Sequence, residues 1–175
     1  VDSQGRRYLN ESTSYHLYGL AMQAHRPSQA DGGKPGIPSY LITDAEGLRK
    51  YGLGMVRPRG MGLDAALADG YVTSAGSIAE LATKLGLPPQ NLQATIERFN
   101  THWRDGIDPD FGGGSTAYQR ANGDAPWVGP NPSLGPVARP PFYAVRLYPG
   151  DIGAARGLRT DDHARALDVH GRPIP

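Results

Sequence analysis

The sequence predicts an α+β domain: a small mixed or antiparallel sheet, helices segregated from it, and long ordered loops. Three observations carry this prediction. Two segments with clear helical start and stop signals follow each other between residues 77 and 106. One strongly β segment, Phe142-Tyr143-Ala144-Val145-Arg146-Leu147-Tyr148, stands between Pro140-Pro141 and Pro149-Gly150. Gly and Pro, 24 and 16 of the 175 residues, interrupt the chain too often for long regular elements.

The elements follow in chain order. Val1-Asp2-Ser3-Gln4-Gly5-Arg6 and Leu167-Asp168-Val169-His170-Gly171-Arg172 share a pattern of an apolar residue, Asp, two further residues, then Gly. Asp bonds its own backbone in a turn and Gly supplies a left-handed residue, so a hairpin turn is expected at each end. Arg7 to Leu9 is a strand candidate. A helix is expected from about Thr13 to Gln23, carrying Leu17, Leu20 and Ala21. Tyr40 to Thr43 is a second strand candidate, and Asp44 to Lys50 a short helix. Ser77-Ile78-Ala79-Glu80 has capping-box spacing, Leu81 and Leu85 continue the apolar face, and Gly86 stops the helix. Pro88-Pro89 opens the next helix, on which Leu92, Ile96, Phe99 and Trp103 fall at i, i+4, i+7 and i+11, until Gly106. Gly106 to Arg139 reads as mostly loop, unusually long unless it is functional or covers something. Val1 in first place and the ending Arg172-Pro173-Ile174-Pro175 suggest a fragment, residues 1–175, cut at both ends.

Composition excludes several function classes. Lys+Arg 18 against Asp+Glu 17 leaves a net charge of +1, too little to neutralise phosphates, so no nucleic-acid partner is expected. There are no cysteines, hence no disulfide, thiolate nucleophile or Cys-based metal site. No apolar run is long enough to span a membrane, and no leader is visible, so a cytoplasmic location is expected. Gly60-Met61-Gly62 is followed by Ala65 but preceded by Arg57-Pro58-Arg59 instead of a strand, so it reads as a plain loop, not a dinucleotide fingerprint. His16, His25, His102, His163 and His170 show no metal-binding helical spacing, so no metal is expected. Asp108-Pro109-Asp110 and Asp161-Asp162 read as solvated turns, and Glu11 and Glu97 have no evident partner. The unusual feature is nine Tyr against three Phe. Most are expected to pack half-buried with a hydroxyl at the rim. A cleft lined by Tyr would suit a flat, largely apolar substrate with one or two polar handles.

A series of segments then carries a resemblance. Gly5-Arg6-Arg7-Tyr8-Leu9-Asn10-Glu11 is followed by Ile78-Ala79-Glu80-Leu81-Ala82, by Ile96-Glu97-Arg98-Phe99-Asn100 and by Asp108-Pro109-Asp110-Phe111-Gly112. Later come Asn131-Pro132-Ser133-Leu134-Gly135-Pro136, Pro140-Pro141-Phe142-Tyr143-Ala144, Pro149-Gly150-Asp151-Ile152-Gly153, Gly157-Leu158-Arg159-Thr160-Asp161 and Ala164-Arg165-Ala166-Leu167-Asp168. In this order they resemble the fumarate reductase and 3-ketosteroid dehydrogenase flavoprotein superfamily across nearly the whole chain, with the 3-ketosteroid 1-dehydrogenase type nearest.

The resemblance implies that this chain is the substrate (capping or catalytic) domain inserted into an FAD-binding domain, which is missing here. The full-length protein would then be an FAD-dependent dehydrogenase or reductase. It would act on a carbon–carbon bond next to a ketone, probing a steroid-like small molecule, with the proton passing to a Tyr base and the hydride to flavin N5. Tyr15, after Asn10-Glu11-Ser12-Thr13-Ser14, matches the family's base, and a helix start there favours a phenolate. Tyr148, Gly150 and Ile152 would touch substrate, and Gly153 and Ala154 the flavin. Ala154 and Arg156 depart from the ketosteroid pattern Gly-Thr-x-Gly-Gly, while the His of the dicarboxylate-reducing pattern is absent from the same stretch. The isolated chain is expected neither to hold FAD nor to be active. A fumarate reductase or succinate dehydrogenase-like domain is the alternative enzyme, and a non-enzymatic tyrosine-rich binding domain the alternative from another class.

Overall fold

In a computed structural model, residues 1–27, 36–126, 129–150 and 158–174 are described. Helices α1 (Tyr15–Ala24), α2 (Ala45–Tyr51), α3 (Leu63–Ala68), α4 (Ile78–Leu85), α5 (Pro89–His102) and α6 (Ala117–Ala121) are joined by strands β1 (Ser39–Thr43), β2 (Thr73–Ala75) and β3 (Phe142–Leu147), in the chain order α1-β1-α2-α3-β2-α4-α5-α6-β3. The strands form one antiparallel sheet in the order β1-β3-β2, with Thr43 opposite Tyr143 and Ala75 opposite Phe142. The α+β class and the small antiparallel sheet agree with the sequence.

The alternation along β3 explains why it is central. Phe142 and Ala144 face a core with Leu81, Leu85, Leu92 and Ile96 of the α4–α5 pair. Tyr143 and Val145 face a second core with Leu48, Leu53, Val56, Ala66 and Val72. A strand with apolar residues on both faces is stable only when both are covered. Here α4–α5 cover one face, and α2, α3 and the turn between them cover the other.

The helix boundaries follow from caps. Ser14, Asp44, Ser77 and Thr116 each accept a hydrogen bond from the backbone three residues on, at Leu17, Gly47, Glu80 and Gln119. Gly86 closes α4 in the left-handed region, as its position in the sequence predicts. Glu80 reaches back to the Gly76 N–H at 2.9 Å, completing the reciprocal cap one residue early.

Four expectations need correction. Arg7 to Leu9 is not a strand; these residues pair with no strand, and their side chains anchor the segment instead. Gly60–Gly62 is more than a loop, since a 3₁₀ turn at Pro58–Gly60 leads into α3. The 106–139 stretch contains α6, and the short β2 carries too little pattern to be seen in the sequence. Trp103 lies in a 3₁₀ turn, Trp103–Asp105, beyond the end of α5. Among the described residues no helix is long and apolar enough to cross a membrane.

Candidate functional site

A cleft of about 1080 Å³ is lined by three separated stretches of chain. Glu11, Ser12, Thr13 and Tyr15 come from the approach to α1, and Asp44, Glu46, Lys50 and Tyr51 from α2 and its cap. Tyr118, Asp124 and residues 132–139 come from the long loop and α6, and Trp103 from the turn just past α5. Three tyrosines and a tryptophan on one concave wall fit the aromatic lining anticipated from the tyrosine excess.

The wall is held in place by Arg7. Its guanidinium forks onto Asp108 at 2.9 and 2.8 Å and onto Glu11 at 2.8 and 2.6 Å. The rings of Phe99 and Phe111 lie 5.0 and 4.9 Å from it. Asn10 continues the seam by donating to the Phe111 carbonyl at 3.1 Å while its own carbonyl takes the Ser12 N–H. The Arg-x-x-Asn-Glu spacing therefore stitches residues 7–11 to residues 108–111 and delivers Glu11 and Tyr15 to the cleft.

Electrostatics agree with this geometry. Burial pushes the Asp108 carboxyl up, but hydrogen bonds from Arg7 and from the Gly113 N–H outweigh it and hold the group at about 2. Burial pulls Arg7 down, yet the hydrogen bonds it donates to Glu11 and Asp108 raise it on balance, so it stays a cation. Asp108 is thus buried and paired, not the solvated turn residue that its sequence suggested, and Glu11 has a partner after all. Asp110 pairs with Arg98 at 2.6 Å.

Tyr15 is the first residue of α1 and 91% exposed, and among the described residues its hydroxyl has no hydrogen-bond partner. Tyr148 and Gly150, just past β3, are also exposed but do not line this cleft. Ile152, Gly153 and Ala154 lie outside the described residues. Sequence reading missed Lys50, Tyr51, Tyr118 and Asp124, which belong to separate segments and carry no motif. The tyrosine count was the one signal pointing toward two of them. Among the described residues no group of His, Asp and Glu is placed to hold a metal ion.

Comparisons with known proteins extend this picture. The FAD binding domain family matches residues 1–175. The chain is 38% identical to a 3-oxosteroid 1-dehydrogenase of Mycobacterium tuberculosis, over 99% of this chain and 31% of that protein. It is 39% identical to a 4-oxocyclohexanecarboxylate 2-dehydrogenase of Sinomonas cyclohexanicum, over 99% of this chain and 29% of that protein. Among solved structures, the 3-ketosteroid Δ1-dehydrogenase of Sterolibacterium denitrificans, in complex with 1,4-androstadiene-3,17-dione, superposes with a TM-score of 0.82 at 34% identity. That match covers 99% of this chain and 30% of the other. The chain thus spans about a third of the length of these relatives.

Proposed function

The chain belongs to the FAD binding domain family, and from that premise we propose that it is the substrate domain of an FAD-dependent dehydrogenase of ring ketones. In this reading residues 1–175 form a domain inserted into a larger FAD-binding one. The observation that carries the proposal is Tyr15, unpartnered among the described residues, at a helix start on the wall of the large cleft. Its side-chain oxygen would take the proton from the carbon beside the ketone. Trp103, Tyr118 and Tyr51 would hold flat rings against the wall.

In this reading the pyrophosphate of FAD is seated outside residues 1–175. The sheet is antiparallel, and the helices that directly follow strands, α2 and α4, each have one early N–H, at Gly47 and Glu80, taken by Asp44 and Ser77. FAD, held by other parts of the whole protein, would supply the hydride acceptor. Tyr148, Gly150, Ile152, Gly153 and Ala154 would belong to the side of this domain that meets it.

The cleft favours a neutral substrate. Its lining cations are Lys50 and Arg139, and these stand beside Asp124 and Glu46. Among the described residues the lining carries four carboxylates, Glu11, Asp44, Glu46 and Asp124, against these two cations, a balance that weighs against a dicarboxylate such as fumarate. A polycyclic ketone of steroid type fits both the lining and the volume. The test is Tyr15→Phe in the full-length enzyme. It should lower kcat by about 10²–10⁴-fold with the flavin still bound. A near-normal kcat would remove Tyr15 from the role.

A further inference from the structure

A second polar cluster on the cleft wall is not used by the proposed reaction. The Asp124 carboxylate receives both of its donors on one oxygen: Oδ2 accepts from Lys50 Nζ and, at 2.8 Å, from the Tyr51 hydroxyl. Its other oxygen, Oδ1, accepts no hydrogen bond from the described residues. The side chain is only 10% exposed, yet Asp124 lines the cleft. Oδ1 is thus the acceptor of this cluster left open to a donor.

The neighbours restrict what that donor can be. Hydrogen bonds from Lys50 and then Tyr51 hold Asp124 below the usual carboxylate range, so it is an anion and only accepts. Lys50, raised by the same contacts, is a cation with N–H groups beyond the one given to Asp124. Asn122, also on the lining, gives an amide N–H to the Tyr118 carbonyl at 2.8 Å. A ketone can accept from Lys50 but leaves Oδ1 bare. A carboxylate would meet the Asp124 charge, and an amine would meet Lys50. A hydroxyl satisfies both, donating to Oδ1 while accepting from Lys50 Nζ.

We propose that Asp124 and Lys50 form a hydroxyl-reading subsite, so that the cleft selects ring ketones carrying a hydroxyl as their second, non-reacting oxygen. This rests on the ring-ketone reading above and deepens it. No bond is made or broken at the subsite; it acts through binding alone.

The experiment uses the full-length, FAD-loaded protein with two probes of one skeleton, 4-androstene-3,17-dione and testosterone, which carries a hydroxyl in place of the 17-ketone. Kd is measured by calorimetry, and turnover by reduction of an artificial acceptor. Testosterone should bind roughly tenfold more tightly, the worth of a hydrogen bond to a charged group. Asp124→Ala should abolish that preference, and Lys50→Met should weaken both ligands. Equal affinities in the unmodified protein, a preference that survives Asp124→Ala, or no binding of either steroid would overturn the subsite. A preference without turnover keeps the subsite and removes the dehydrogenase reading, whereas turnover without a preference does the reverse.

Discussion

Arg7 shows how much one side chain organises here. Two phenyl rings lie within about 5 Å of its guanidinium and two carboxylates take its N–H groups, a geometry that a lysine ammonium cannot reproduce. Asp108 is the more buried of the two acceptors, and it also takes the Gly113 N–H at 3.0 Å. Asp108→Asn keeps the shape and removes the charge, and should cost about 2–3 kcal/mol near neutral pH. The pH dependence has a definite sign. The folded-state value of about 2 lies below the ordinary 3.8, so the stabilisation is complete above about pH 4 and is lost as pH falls through 2. Urea melts from pH 7 downward should therefore show the gap between wild type and Asp108→Asn closing in that window. A gap that persists unchanged at pH 2 would contradict the assignment.

Among the elements, the two end turns proved to be two of three. At Asp2, Asp161 and Asp168 the Oδ1 atom accepts from the backbone two and four residues on, and the Asp N–H bonds the carbonyl of the closing Arg. The fourth residue is left-handed in each: Gly5 at φ 71°, Ala164 at 58° and Gly171 at 81°. The middle copy escaped sequence reading because Ala stands where the pattern requires Gly. A left-handed Ala is strained, so Ala164→Gly should slow hydrogen exchange of the Ala164 amide, which bonds the Asp161 carbonyl, by several-fold. Faster exchange would mean that chain entropy outweighs the strain. Gly5 carries a second constraint, because a Cβ there would meet the Leu92 backbone nitrogen at 3.0 Å. Gly5→Ala should lower stability by about 1–3 kcal/mol in a denaturant melt. An unchanged midpoint would show that the turn can lift off α5.

At the scale of the whole molecule, the cleft is a meeting place of the α1 approach, α2 and the long loop with α6. The loop's length is accounted for by that wall and by the Asp108 and Asn131 knots inside it. Asn131 is buried and bonds the Gly106 and Gly113 carbonyls and the Ser133 N–H. With Asp44 and Ser77 each taking one N–H at the helix starts after β1 and β2, and the FAD site read as lying elsewhere, the 175-residue chain purified alone should be colourless. Gel filtration with added FAD, read at the flavin absorbance, checks this; stoichiometric co-elution would refute it.

The sequence determined what depends on local chemistry. Ser77, Glu80 and Gly86 mark α4, the aromatic and β-branched run marks β3, and the Asp and Gly residues mark the end turns, because caps, strand propensity and left-handed turns act within a few residues. The ordered motifs were enough to indicate the flavoprotein family. Tertiary structure alone decided the rest. That β3 is central follows from two cores that exist only once α4–α5 and α2–α3 have packed. Arg7 meets Asp108 across 101 residues, and Lys50 meets Asp124 across 74. Such pairs leave no period or spacing in the chain. Their strength comes from shared burial and from the geometry that brings distant charges together, and neither exists before the chain has folded.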